Sequence, residues 1–244
     1  MNICILGASG RSGRRLVSAA IDHGHHVTAV LRDPAKLADL AHDRLTVQVT
    51  SLSDRAALAD VLRGHDVVIN AAGYVADGAA YTSLVANVVA TVESALGNGG
   101  RFWLFGGAAL LDVPGTAITT LDLPGIPKIF EAHRTNLERV KRSTLDWSML
   151  CPGPMIPAPN GKVTEALVVS QDVWPVARPS YTHFFPRVAL SLAFRHSIPR
   201  MTVYYEDAAK VILDNLAGRG PLSLKRVGIA LRDERRHKNE LDAS

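Results

Sequence analysis

Seven residues near the N-terminus constrain this chain more than any other feature. An apolar run, Asn2-Ile3-Cys4-Ile5-Leu6, leads straight into Gly7-Ala8-Ser9-Gly10-Arg11-Ser12-Gly13, and a helical pattern follows. Glycines alone are a weak signal, but a strand before them and a helix after them make a dinucleotide-binding loop. Gly7 permits the tight turn, Gly10 lets the backbone approach a pyrophosphate, and Gly13 lets the helix pack against the sheet. The helix start, with Ser9, Arg11 and Ser12 around it, offers open N–H groups and a positive dipole end to an anion.

The rest of the chain alternates in the same way. Strands are expected at Asn2–Leu6, His26–Leu31, Leu45–Val49, 66–70, Arg101–Phe105 and Asp146–Cys151, with helices near 11–23, 34–41, 53–63, 79–97 and 128–143. The strands read as near-continuous apolar runs, as parallel strands buried on both faces do. Gly13, Val17 and Ala20 mark one face of the first helix, and Gly24 stops it. The expected fold is α/β, a Rossmann-type doubly wound parallel sheet with a small C-terminal cap. Eleven of the thirteen prolines lie from Pro114 to Pro199, eight of them from Pro152 onward. The prediction is one domain over 1–244, with 152–200 an irregular, proline-rich substrate cap over the carboxyl edge of the sheet. A short helix at 188–194 is expected to pack in the core rather than on a membrane. A helix near 206–217 and a strand near 224–231 close the domain.

Composition excludes several classes. With 244 residues, 47% hydrophobic and 20% charged, the chain is not disordered. Cys4 and Cys151 are far apart with no Cys-x-x-Cys, which supports neither a disulfide framework nor a zinc site and suits a reducing compartment. The net charge is a mild +4, and the run Arg232-Asp233-Glu234-Arg235-Arg236-His237-Lys238 reads as a solvated end rather than a nucleic-acid arm. No basic leader and no apolar stretch near the roughly 18 residues of a bilayer span are read, so the expectation is a soluble, cytoplasmic chain with no membrane and no nucleic-acid partner. His23, His25 and His26 fall at a helix-to-strand turn away from the glycine loop, where solvation is favoured and no metal site is expected.

The second strand ends Ala29-Val30-Leu31-Arg32-Asp33-Pro34. An acid about 20 residues after the glycine loop ordinarily binds the ribose diol of NAD(H). Arg32 instead suits a 2′-phosphate, with Arg11 as a second charge, so NADP(H) is preferred. Asp33 keeps NAD(H) open as the alternative.

With these pieces the chain resembles the atypical short-chain dehydrogenase/reductases, in particular the NmrA-like and biliverdin-IXβ/flavin reductase group. The resemblance runs over residues 1–155 and more weakly over 201–231. It rests on the glycine loop, Arg32-Asp33-Pro34, Asn70-Ala71-Ala72-Gly73, Leu145-Asp146-Trp147-Ser148 before Pro152-Gly153, and Val203-Tyr204-Tyr205-Glu206-Asp207-Ala208-Ala209, where Asp207 suits a helix start. It implies that Ala71, Ala72 and Gly73 line the adenine and ribose side, and that Pro152, Gly153 and Pro154 put backbone beside the nicotinamide. Where the family often carries Gly-Asp, this chain has Thr50-Ser51-Leu52, so Ser51 or the Leu52 backbone takes the adenine contact.

The same resemblance exposes a gap. Of the superfamily's Ser and Tyr-x-x-x-Lys, the lysine position falls on His133, the tyrosine position on Ile129, and the serine position among Gly106, Gly107 and Ala108, with Gly106 against the cofactor. His133 either donates a proton near neutral pH or anchors the cofactor without chemistry. Without the triad, the reaction class left is hydride transfer to a planar acceptor, such as a flavin or quinone, that needs little assisted protonation. Trp174, Tyr181, Phe184 and Phe185 would either stack on that acceptor or pack in the core. The competing reading is an NmrA-like protein that senses NADP(H) without turnover.

Overall fold

The computed structural model describes residues 1–176 and 186–232. In chain order the elements are β1 (Asn2–Leu6), α1 (Arg11–Asp22), β2 (His26–Leu31), β3 (Leu45–Val49), α2 (Arg55–Leu62), β4 (Val67–Asn70), α3 (Ala79–Leu96), β5 (Arg101–Phe105), α4 (Glu131–Lys141) and β6 (Asp146–Cys151). They continue with β7 (Met155–Ile156), β8 (Leu167–Gln171), α5 (Arg187–Met201), β9 (Val203–Tyr204), α6 (Tyr205–Leu213) and β10 (Lys225–Leu231). Eight strands form one sheet in the order β3-β2-β1-β4-β5-β6-β10-β8, parallel except where β8 runs antiparallel to β10. The chain builds outward from β1 to β3, then returns to lay β4 on the other side of β1. That reversal opens a crevice at the carboxyl ends of the strands, the ligand position of a doubly wound sheet.

Both faces of the sheet are covered. Cys4, Leu6, Phe102, Leu104 and Met149 pack under α2, α3 and α4, while Ile3, Ile5, Ile69, Trp103 and Leu150 pack under α1 and α6. Burial on both sides is why β1, β4, β5 and β6 read as unbroken apolar runs.

Four expectations need correction. β3 is not buried on two faces: it is one of the sheet's two edge strands, with Val49 59% exposed. Its Thr and Gln alternate with apolar residues, the pattern of a strand with a wet side. The segment near 34–41 is a 3-10 helix, Pro34–Leu40, with Leu37 its only buried residue, so no apolar stripe holds a regular α-helix there. The stretch 152–200 is not irregular throughout. The proline-free run between Pro159 and Pro175 supplies β8, which extends the main sheet. Pro186 precedes α5, and Pro199 falls in its last turn, where the helix tolerates it as it ends. Finally, α3 has the 18-residue length and mean hydropathy of 1.2 that a short membrane span would show. Its apolar side, Tyr81, Val85, Val88, Val89 and Val92, lies in the core between α2 and α4.

Candidate functional site

At the first strand end the backbone is drawn tight. Gly7 has φ +74°, and a Cβ there would stand 2.7 Å from Ala72 Cα and N. A Cβ on Gly13 would overlap the Gly7 carbonyl. Gly10 is different: the nearest atom to its missing Cβ is the Gly7 oxygen, at 3.3 Å, and Gly10 is exposed. The loop is held by Gly7 and Ala8 N–H groups on the Val30 carbonyl (3.1 and 3.2 Å) and by Gly10 N–H on Gly7 (3.0 Å). Gly10 is the N-cap of α1, and no side chain caps that helix, so its first N–H groups stay open. Open donors, a positive helix end and a Cβ-free approach fit the pyrophosphate of a dinucleotide. Ser9 and Ser12 are half-buried beside this approach, and Arg11 is exposed.

Arg32 follows β2 at the same edge. It is exposed, and neither it nor Arg11 makes an ion pair among the described residues. The neighbouring charges are already committed. The Asp33 carboxylate accepts from Ala35 N–H (3.2 Å) as the cap of the 3-10 helix. Arg14 is paired with Asp39 and also reaches the Lys36 carbonyl. Among the described residues, the cations at this end without an ion pair are Arg11 and Arg32, and they stand beside the Asp33 carboxylate that caps the 3-10 helix.

After β4, Ala71 N–H binds the Leu6 carbonyl (2.9 Å) and Ala72 N–H binds Asn70 Oδ1 (3.1 Å), which presses this turn against Gly7. Gly73 has φ +109°, and a Cβ on it would overlap the Tyr81 ring. After β3, Ser51 is exposed with its Oγ accepting from Ser53 N–H (3.2 Å), and the Leu52 carbonyl accepts from Asn87 (2.5 Å).

The ends of β5 and β6 meet differently. Gly106 N–H binds the Leu150 carbonyl (2.7 Å), and Ala108 N–H binds the Pro152 carbonyl (2.8 Å). A Cβ on Gly106 would stand 2.8 Å from Met149 Sδ, and one on Gly107 would stand 3.2 Å from His133 Cδ2 and Nε2. Gly153 donates to the Met201 carbonyl (3.2 Å). The glycines in the serine region thus make room for packing from β6 and α4. His133 is 8% exposed, with Phe130 stacked at 6.3 Å and Tyr81 Oη 3.4 Å from Nδ1. Burial pulls its imidazolium down to about 4, so the ring is neutral at physiological pH. Burial thus works against a charged, proton-donating imidazolium at this position near neutral pH. Ile129, in the tyrosine position, is 43% exposed in a 3-10 turn. Cys151 is buried and its thiol is pushed up to about 12, which leaves no thiolate nucleophile.

Gly7, Gly10, Gly13 and Ala72 are thus gathered at one end of the edge, and Gly106, His133, Pro152 and Gly153 at the other. The link between the ends is Tyr81, which sequence reasoning missed: its ring touches Gly73 and its hydroxyl reaches His133. Burial pushes its phenol up, partly opposed by the Asn136 amide. Trp174 does not face the crevice. Its indole donates to Thr120 Oγ1 (2.6 Å), and its ring packs on Phe194 in the core. Tyr181, Phe184 and Phe185 lie outside the described residues. His23, whose Nδ1 lies 2.7 Å from the Ala19 carbonyl, and His25, beside the chain's amino group, sit at the opposite, amino edge of β2.

A family profile described as NAD(P)H-binding matches residues 7–174. YwnB, an uncharacterized protein of Bacillus subtilis (strain 168), is 28% identical over 186 residues, spanning 70% of this chain and 80% of that protein. A solved structure of a candidate epimerase from Bacteroides thetaiotaomicron superposes with TM-score 0.73 at 23% identity, over 95% of this chain and 97% of that one. A candidate NADH-flavin reductase from Streptococcus pneumoniae TIGR4 gives 0.67 at 22% identity, over 95% and 100%. Likeness at this identity shows the fold and leaves the reaction to the site.

Proposed function

The chain belongs to the NAD(P)H-binding family, and from that premise we propose that it is an NADPH-dependent oxidoreductase that delivers hydride to a planar, conjugated acceptor such as a flavin or quinone. The observation that carries this reading is the contrast along one crevice. An open cationic cradle lies at the phosphate end, and a buried, neutral histidine stands where a proton-donating triad would be. Bound NADPH would supply the hydride. The chain's own part is to hold and orient: the α1 N-terminus and Gly10 take the pyrophosphate, Arg11 and Arg32 the 2′-phosphate, and the backbone of Gly106, Pro152 and Gly153 borders the nicotinamide. An acceptor that spreads the arriving charge and takes its proton from water needs no acid from the protein. The same reading expects a cytoplasmic protein with a small-molecule acceptor and no nucleic-acid partner.

The neutral His133 also favours a second reading, an NADP(H) sensor without turnover. Purified protein assayed for NADPH oxidation with flavin and quinone acceptors separates the two. A saturable, acceptor-dependent rate above the free-solution background supports the reductase. Saturable NADPH binding with no such rate supports the sensor and overturns the enzyme.

A further inference from the structure

We propose that Tyr81 is a positioning residue that fixes His133 as its Nδ1–H tautomer, so that Nε2 stands beside Gly107 as a hydrogen-bond acceptor for a hydroxyl of the cofactor's nicotinamide ribose. The ligand half of this proposal rests on the NAD(P)H reading above; the tautomer half does not.

Tyr81 Oη lies 3.4 Å from the Phe105 carbonyl oxygen and 3.4 Å from His133 Nδ1. A carbonyl can only accept, and a phenol carries one proton. Both contacts are hydrogen bonds together in one arrangement alone: Oη donates to Phe105, and Nδ1–H donates to Oη. A neutral imidazole has a single N–H, so Nε2 then carries the lone pair. Burial keeps the ring neutral over the physiological range. Nε2 has no hydrogen-bond partner among the described residues, and it lies 3.2 Å from where a Gly107 Cβ would be.

The ring has little freedom to turn away. Phe130 lies nearly parallel to it at an interplanar angle of 9°, and Tyr81 meets it edge-on at 5.7 Å. Tyr81 is itself 5% exposed and braced by Gly73, where any Cβ would overlap its ring. It therefore ties the turns after β4 and β5 to α4. Asn136, one turn along α4 and 1% exposed, stands beside Tyr81 with its amide favouring the phenolate, so a donor to the second lone pair of Oη is at hand without displacing the other two contacts. An Nε2 acceptor takes a hydrogen bond and gives no proton, in keeping with an acceptor protonated from water.

Nitrogen NMR of the full chain labelled at histidine tests this, with His133 assigned by the signal lost in His133→Gln. At pH 7 the wild type should show a protonated Nδ1 and a bare Nε2. Tyr81→Phe should shift population to the Nε2–H form and weaken NADPH binding about three- to tenfold, the loss of one ordinary hydrogen bond. Saturating NADPH should move the wild-type Nε2 resonance as it accepts a bond. A wild-type Nε2–H signal overturns the proposal, whether or not Tyr81→Phe folds. An Nε2 resonance unmoved by saturating NADPH overturns its ligand half. A correct tautomer with no binding of NADPH or NADH overturns the NAD(P)H reading and the ribose contact with it, but not the Tyr81–His133 pairing.

Discussion

At the glycine-loop end of the crevice, the groups offered to a ligand are backbone N–H donors and two exposed arginines, and the close contacts are backbone on backbone. At the end formed by β5 and β6, the groups are side chains drawn from α3 and α4, buried and touching one another. The first end depends on a local conformation, a turn followed by a helix start, and seven consecutive residues encode it. The second depends on three separate segments meeting, and no stretch of sequence contains it. The first is a general anion holder, while the second sets what happens beyond binding.

The largest expected effect tests whether the glycines at the first end differ in kind. Gly13→Ala puts a methyl into the Gly7 carbonyl and should cost about 3 kcal/mol of stability, the upper range for overpacking. Gly10→Val meets little protein but fills the pyrophosphate approach. It should stay folded and lose NADPH binding beyond about 100-fold by calorimetry. A folded Gly10→Val protein with unchanged affinity would remove the cofactor assignment.

Next in size is charge. A guanidinium on a phosphate is worth about 1.5–3 kcal/mol, or roughly 10- to 100-fold. Arg32→Ala should weaken NADPH by that factor, leave NADH nearly unchanged, and narrow the preference in added salt. Equal loss of both cofactors would mean that Arg32 holds the loop and not the phosphate.

The second end should answer to pH where the first does not. His133 has its folded-state pKa at about 4 against 6.5 in the unfolded chain. Between those values the unfolded chain binds the extra proton, so stability rises with pH. The contribution is fully present above about 6.5 and is lost as pH falls toward 4. From pH 7 to pH 5 it amounts to about 2 kcal/mol. Urea denaturation of wild type and His133→Gln at both pH values should show the wild type losing that much more. Parallel losses would mean that His133 is charged or solvated in the folded protein.

These differences also mark what was legible. Strands with both faces covered announced themselves as apolar runs, and the reversal beside β1 followed from strand–helix alternation. β8 was masked by the prolines on either side of it, and the exposed edge at β3 by valines that a short strand carries on any face. The glycine loop and Arg32 were readable because adjacent residues build them. His133 was located by counting, but its neutrality comes from Phe130, Tyr81 and the space left by Gly107, which converge only in the fold. One signal was available. His133, Asn136, Leu137 and Val140 form the buried stripe of α4, and two polar residues in such a stripe mark a functional or hydrogen-bonded interior.

The smallest effect separates Arg32 from its neighbour. Asp33 is the residue that would make this an NADH site, yet its carboxylate caps the 3-10 helix at Ala35. If capping is its role, Asp33→Ala should cost about 0.5–1 kcal/mol of stability, as other lost caps do, and Asp33→Ser should restore most of it because a hydroxyl can accept the same bond. NADH affinity should then be nearly the same in all three proteins. NADPH affinity should rise slightly in both variants, since an acid within a Debye length of the 2′-phosphate is removed. A ribose acid would behave otherwise: NADH would weaken about tenfold or more in Asp33→Ala, and serine would not rescue it, because the carboxylate's charge-assisted bonds to the diol would be gone. Thermal melts set against both dissociation constants decide it, and a tenfold NADH loss would reverse the cofactor preference assigned to this end of the crevice.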